Sequence, residues 1–210
     1  MKTPTRSKST HARRIALTGG ISTGKSLCLA TFAKLGAPTI DADQLARDAV
    51  AVGSPGLAAV VRRFGPAVLL RNGQLNRAAL GAVIFADPTA RKDIEKIIHP
   101  HVYAAVARWF TALKAPLGVA DIPLLFETGH QGDFDVVVVA ACRPEQQLAR
   151  LMARGGLSEA NARARIAAQG PLADKVAKAH YVIDTSGTLE QTAENTEAVW
   201  VKLQSAIGNR

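Results

Sequence analysis

Cysteine is scarce in this chain. Cys28 and Cys142 are the only two, and they lie far apart, outside any CxxC or metal-ligand spacing. Both are read as reduced thiols, the state expected of a cytoplasmic protein. Long apolar runs are missing as well: nothing approaches the roughly 18 residues that cross a bilayer, so no membrane partner is expected. The opening stretch MKTPTRSKSTHARR is basic and polar with no apolar segment of secretory type behind it, and it is not read as a signal peptide. Acidic residues are absent before Asp41, whereas Lys2, Arg6, Lys8, Arg13 and Arg14 crowd the first positions of a chain whose formal net charge is +9. A solvated, unstructured tail over residues 1–13 is the first expectation, and a weak anion- or nucleic-acid-binding tail the second. No internal repeat is visible, and no low-complexity segment outside that tail.

What is present is enough apolar material for a real core: 48% of 210 residues. Five short apolar runs read as buried strands: 14–19, 37–42, 117–123, 135–141 and 181–184. The fourth, DVVVVAA, is β-branched almost throughout, as a strand covered on both faces should be. Helical patterns lie between them. One runs from Lys25 to Leu35 and stops at Gly36, and Pro144 suits the first position of a helix over 144–154. A partner helix to 144–154 is expected over 158–168, and Thr188 with Gln191 forms a capping box for the last helix. Alternation of strand and helix implies α/β architecture with a parallel sheet. Residues 43–116 lack an obvious strand and read as an inserted set of helices over 43–51, 54–64, 77–85 and 88–113.

The segment Gly19-Gly20-Ile21-Ser22-Thr23-Gly24-Lys25-Ser26 matches G-x-x-x-x-G-K-[ST], between a strand and a helix. Glycines let backbone N–H groups curl around an anion with no Cβ in the way. The following helix adds unpaired N–H groups and the positive end of its dipole. Lys25 would reach the β- and γ-phosphates, and the Ser26 hydroxyl would hold Mg²⁺. The loop is read as the site of a nucleoside triphosphate.

No N-K-x-D guanine signature occurs, and the one D-x-x-G, Asp184–Gly187, follows the last strand, where a γ-phosphate sensor is not expected. A helicase-type ATPase is expected to be longer. A small kinase is the economical reading. Phosphorylation of a hydroxyl benefits from a carboxylate that orients the alcohol and accepts its proton. Asp41 and Asp43, in TIDADQLAR, leave the second strand at its carboxyl end, where ligands of parallel sheets gather. From spacing alone, either could equally be a helix N-cap.

The segments ALTGGISTGKS, IDADQLAR, LNRAALGAVIF, IIHPHV, DIPLLFE, QLARLMARGGLS, RIAAQ and YVIDTSG resemble, in order and spacing, the dephospho-CoA kinases, over residues 14 to 207. The resemblance implies a five-stranded parallel P-loop kinase core (14–42, 117–142 and 181–207). It adds a helical acceptor-binding insertion over 43–116 and a small helical lid within 143–180. It implies transfer of the γ-phosphoryl of ATP, with Mg²⁺, to the ribose 3′-hydroxyl of dephospho-CoA. Asp43 inherits the role of base. Gly20, Ile21, Ser22, Thr23, Gly24, Lys25, Ser26 and Leu27 inherit the nucleotide loop, with Ser26 the Mg²⁺ ligand. Arg77, His99, Leu124 and Leu125 fall to the acceptor. Arg150 is the first choice for a lid arginine over the transferring phosphoryl and Arg154 the second, and Asp184 lies in the segment beside adenine. Three positions depart from the family pattern. Ser22 stands where a third glycine is usual, Leu27 where Thr is common, and Thr185 where Asn is common. Should position 22 need a positive φ, Ser would be strained there.

His99-Pro100-His101 lacks a metal spacing, and His99 is read as a helix-kink or substrate-site residue. Asp121 ends a buried strand and suits either a water of Mg²⁺ or a structural hydrogen bond. Trp109 and Trp200 are read as core; Phe85 and Tyr103 could line an apolar acceptor pocket, with core packing the first reading. A nucleoside or nucleotide kinase, and a nucleic-acid-stimulated ATPase using the basic tail, are the competing readings. No nucleic acid is expected as partner on the first reading, and a monomer or weak homo-oligomer is expected.

Overall fold

The computed structural model describes residues 11–208. The expectation of a basic tail at Lys2, Arg6 and Lys8 lies outside them. Arg13, placed in that tail, instead begins the first strand: its N–H donates to the Pro116 carbonyl at 2.9 Å and it pairs with Leu117. Arg14 is tied on both sides to Asp135, donating its N–H to a carboxylate oxygen at 2.7 Å and accepting the Asp135 N–H at 2.9 Å.

The elements run β1 (Arg13–Gly19), α1 (Lys25–Lys34), β2 (Thr39–Asp41), α2 (Ala42–Asp48), α3 (Pro55–Phe64), α4 (Arg77–Ala86) and α5 (Pro88–Ala112). They continue as β3 (Leu117–Asp121), β4 (Val136–Ala141), α6 (Pro144–Gly155), α7 (Glu159–Ala167), α8 (Leu172–Ala177), β5 (Tyr181–Asp184) and α9 (Leu189–Gly208). The sheet has the order β2-β3-β1-β4-β5. β1 is parallel to both neighbours, with Leu17 opposite Asp121 on one side and Val138 on the other, and β5 is parallel to β4. A first strand at the centre of a parallel sheet needs crossover helices, which the intervening segments supply.

Two units carry separate cores: the described residues up to Ile40 with those from Phe110 onward, and Asp41–Trp109. In the first, Ile15, Leu17, Val119, Val136 and Val138 of the sheet pack with Cys28 and Phe32 of α1 and Val199, Trp200 and Leu203 of α9. Phe32 meets Trp200 edge to face at 6.1 Å. In the second, Val50, Leu57, Val60, Val68, Leu75, Leu80 and Ile94 form the core.

Local chemistry explains most boundaries. The Thr188 hydroxyl accepts the Gln191 N–H and the Gln191 side chain accepts the Thr188 N–H, the reciprocal box expected at the head of α9. Asn76 and Ser54 cap α4 and α3. β2 is shorter than the run 37–42 because the Asp41 side chain caps α2 and starts the helix at Ala42. α8 was not anticipated, nor were the 3-10 turns at Pro66–Val68 and His130–Asp133. Phe85 is 85% exposed, against its expected place in the core: it lies near the end of α4 on the side away from Leu80, the buried residue of that helix. Trp200 is buried as expected, while Trp109 is only half-buried.

Phe32 is wholly enclosed between sheet and α9. Phe32→Ala is therefore expected to cost about 3–5 kcal/mol of stability, read as a lowered denaturation midpoint at unchanged slope in urea.

Candidate active site

β1 delivers the chain into the glycine loop at the centre of the sheet. A Cβ on Gly19 would lie 2.6 Å from the Ala140 carbonyl oxygen and 2.6 Å from the Thr23 hydroxyl, so only glycine fits. A Cβ on Gly20 would lie 2.6 Å from Nε2 of Gln147. Gly24, just before α1, has φ 84°. Ser22 is the one non-glycine with positive φ among the described residues, at 58°. The position does need the left-handed conformation, which costs an ordinary residue about 1–2 kcal/mol. Its hydroxyl oxygen is buried and has no partner among the described residues.

The loop's amides divide into two sets. Ile21 donates its N–H to the Gln169 side chain at 2.7 Å, Thr23 to the Gly20 carbonyl at 3.3 Å, and Leu27 to the Gly24 carbonyl at 3.0 Å. Of the expected nucleotide contacts, those three amides are thus already engaged. The N–H groups of Gly20, Ser22, Gly24, Lys25 and Ser26 have no acceptor among the described residues. These five, with the dipole of α1 and the buried Ser22 hydroxyl, form a set of donors suited to a polyphosphate.

Lys25 stands at the head of α1 with its ammonium between the two carboxylate oxygens of Asp121, at the end of β3. Asp121 is 4% exposed, so the lysine stands against a buried carboxylate. The Ser26 side chain is exposed. A hydroxyl and a carboxylate are both hard oxygen donors, the kind that Mg²⁺ takes.

Several residues around the loop went unremarked in the sequence or carry a role it did not reveal. Lys175 of α8 is 2% exposed and donates to Glu127 at 2.6 Å and to the Gly19 carbonyl at 3.2 Å. Gln147 of α6, 5% exposed, donates to the Ile21 carbonyl at 2.9 Å. Thr185, after β5, donates its hydroxyl to the Thr23 carbonyl at 2.6 Å and sits within hydrogen-bond distance of the Ala141 carbonyl. Thr185 therefore faces the loop. A lysine and a glutamine read as surface residues by type; Gln147 opens QLARLMARGGLS, Thr185 lies in YVIDTSG and Gln169 closes RIAAQ, whereas Lys175 falls in none of the segments that carry the resemblance.

Arg150 of α6 is half-buried and donates to the Thr185 carbonyl at 2.7 Å, while Arg154 is exposed. Hydrogen bonds from Ser186 hold the Asp184 carboxyl below its ordinary range. Burial pushes the Cys142 thiol up, against the opposing charge of Arg150. Leu125 is fully buried and Leu124 is 38% exposed, so Leu124 is the member of the pair with side chain at the surface.

In the second unit, the choice between the two aspartates resolves into distinct positions. Asp41 caps α2, accepting the Asp43 N–H at 2.7 Å. Asp43 lies in the first turn of that helix, exposed, its carboxylate without a partner among the described residues. Arg77 is the exposed first residue of α4. His99 is half-buried within α5, its ring edge to face with Tyr103 at 6.3 Å; the helix continues through Pro100.

The two glycines at the loop's start differ in what confronts a side chain, backbone at Gly19 and the tip of a flexible one at Gly20. Gly19→Ala is expected to lower stability by about 1–3 kcal/mol, and Gly20→Ala by less, in thermal unfolding of the two variants side by side.

A family model described as dephospho-CoA kinase matches residues 13–191. The dephospho-CoA kinase of Syntrophotalea carbinolica is 48% identical over 192 residues, which are 90% of this chain and 91% of that protein. Among solved structures, TT1252 from Thermus thermophilus is 34% identical with a TM-score of 0.78, covering 92% of this chain and 98% of that one. The dephospho-CoA kinase of Campylobacter jejuni is 26% identical with a TM-score of 0.72, covering 94% and 98%. The donor-lined loop on a parallel sheet and the match along most of its length lead to one conclusion: this chain belongs to the dephospho-CoA kinase family.

Proposed function

We propose that this chain carries out its family's reaction with Asp43 as base, Lys25 and the loop amides as phosphate ligands, and Arg150 as the lid cation. The reaction is ATP-dependent phosphorylation of the ribose 3′-hydroxyl of dephospho-CoA, giving CoA and ADP, the last step of coenzyme A synthesis. The observation that carries the reading is the set of five unengaged N–H groups in the glycine loop and the first turn of α1, backed by Lys25.

Phosphoryl transfer needs positioning and charge stabilisation more than covalent chemistry from the protein. The loop amides would hold the β- and γ-phosphates. Lys25 would exchange part of its contact with Asp121 for phosphate oxygen, a shift that keeps the ammonium paired throughout. Ser26 would hold Mg²⁺, with Asp121 as a further hard donor on that side; the ion would supply charge neutralisation to the phosphates. Asp43, with its carboxylate unengaged, is free to accept the proton of the attacking hydroxyl. Arg77, His99 and Leu124 would hold the acceptor. Leu125, wholly buried, would act by backing Leu124. Arg150 would release the Thr185 carbonyl and place its guanidinium over the transferring group as the lid closes, with Arg154 the alternative. Asp184 would lie beside the adenine. The free, buried thiols of Cys28 and Cys142 accord with a cytoplasmic enzyme.

Incubation with ATP-Mg²⁺ and a small acceptor panel tests the reaction. Dephospho-CoA should be phosphorylated; transfer to a nucleoside monophosphate and not to dephospho-CoA would contradict it. Asp43→Asn should keep ATP affinity and lose about 10²–10⁴-fold in kcat, measured by coupled ADP release. An unchanged kcat would remove Asp43 from the role of base. Lys25→Ala should impair both ATP binding and kcat in the same assay.

A further inference from the structure

A trans peptide is planar, so the C=O of one residue and the N–H of the next point in opposite directions. No cis peptide occurs among the described residues. Whatever grips a carbonyl in the glycine loop therefore aims the following amide the other way. Three side chains from outside the loop do so. Lys175 holds the Gly19 carbonyl at 3.2 Å, Gln147 the Ile21 carbonyl at 2.9 Å, and Thr185 the Thr23 carbonyl at 2.6 Å. The amides that follow are those of Gly20, Ser22 and Gly24, three of the five with no acceptor among the described residues. The peptide between Gly20 and Ile21 is the contrasting case. Its carbonyl is taken by the loop's own Thr23, through hydroxyl and N–H, and its amide is spent on Gln169.

We propose that Lys175, Gln147 and Thr185 are positioning residues for nucleotide. They hold alternate carbonyls of the loop outward so that the amides of Gly20, Ser22 and Gly24 face the phosphates. The inference rests on the nucleotide-binding reading given above. A flipped peptide would present a carbonyl oxygen to an anion in place of a donor, which converts an attraction to a repulsion. Each anchor makes that flip cost a buried hydrogen bond.

The burial of the three supports the assignment. They are 2%, 5% and 1% exposed, so each polar tip has to find its partner within the protein. Lys175 brings its own counter-charge in Glu127, at 2.6 Å, and so supplies a donor to Gly19 without a free charge beside the phosphates. Thr185 does two jobs: its hydroxyl fixes the Thr23 carbonyl and its own carbonyl accepts Arg150. Its side chain also lies 3.2 Å from where a Cβ of Gly24 would stand, which closes the back of the loop. The departure from the family pattern at position 185 thus acts on the loop's amides.

The test compares wild type with Thr185→Val, which keeps the shape and removes the hydroxyl, Thr185→Ser, which restores it, and Gln147→Met. Mg-ADP affinity is read by calorimetry, and KM for dephospho-CoA by turnover. Thr185→Val and Gln147→Met should weaken Mg-ADP by about tenfold, a change of about 1.4 kcal/mol. KM for dephospho-CoA should stay near wild type, and Thr185→Ser should recover the affinity. A residue of merely structural value would lower the melting temperature without separating the two ligands. Should Thr185→Val fail to fold, Gln147→Met carries the test on the Ile21 carbonyl. Wild-type Mg-ADP affinity in the folded variants overturns the inference and leaves the reaction standing. A wild-type chain that binds no Mg-ADP overturns the nucleotide-binding reading along with it.

Discussion

A peptide group cannot turn its carbonyl and its neighbouring amide to the same side. The site depends on that constraint. An anion-binding loop has to show N–H groups inward, and so its carbonyls must find partners outward. The fold supplies them from elements distant in sequence: α6 carries Gln147, the turn after β5 carries Thr185, and α8 carries Lys175. The central place of β1 makes this possible, because β4 lies directly beside it and β5 directly beyond.

Charge around the loop is arranged in pairs. Lys25 faces Asp121 and Lys175 faces Glu127. Buried ion pairs contribute little net stability, since desolvation offsets attraction, and removing one partner is costly. Their value here is one of placement. Asp121 keeps Lys25 folded against the sheet, and Glu127 lets Lys175 sit 2% exposed beside a backbone carbonyl. The strained Ser22, at φ 58° with a buried, unpartnered hydroxyl, completes a site that trades local stability for donors aimed at a ligand.

Much of this was legible in the sequence. β-branched runs marked the strands because a strand covered on both faces admits little else. The G-x-x-x-x-G-K-[ST] spacing marked the loop because each glycine there has a steric or dihedral reason that the structure shows at Gly19, Gly20 and Gly24. Capping chemistry located α9 through Thr188 and Gln191. What stayed hidden depended on tertiary partners. α8 has only six residues, too few for a periodic pattern, and its lysine resembles any surface lysine until its burial is seen. Gln147 opens the segment QLARLMARGGLS, yet nothing in that pattern tells that its side chain donates to a carbonyl 126 positions away. Phe85 was misassigned to the core because an aromatic residue in an apolar helix is usually inside, and here the buried stripe of α4 is carried by Leu80.

The most direct measurement is a set of amide proton–nitrogen NMR spectra of the wild-type chain titrated with Mg-ADP. The account predicts that the Gly20, Ser22, Gly24, Lys25 and Ser26 resonances move on saturation as their N–H groups take up phosphate oxygens, while Leu27, bonded within its helix, moves least. Saturable binding that leaves those five resonances where they were would contradict it.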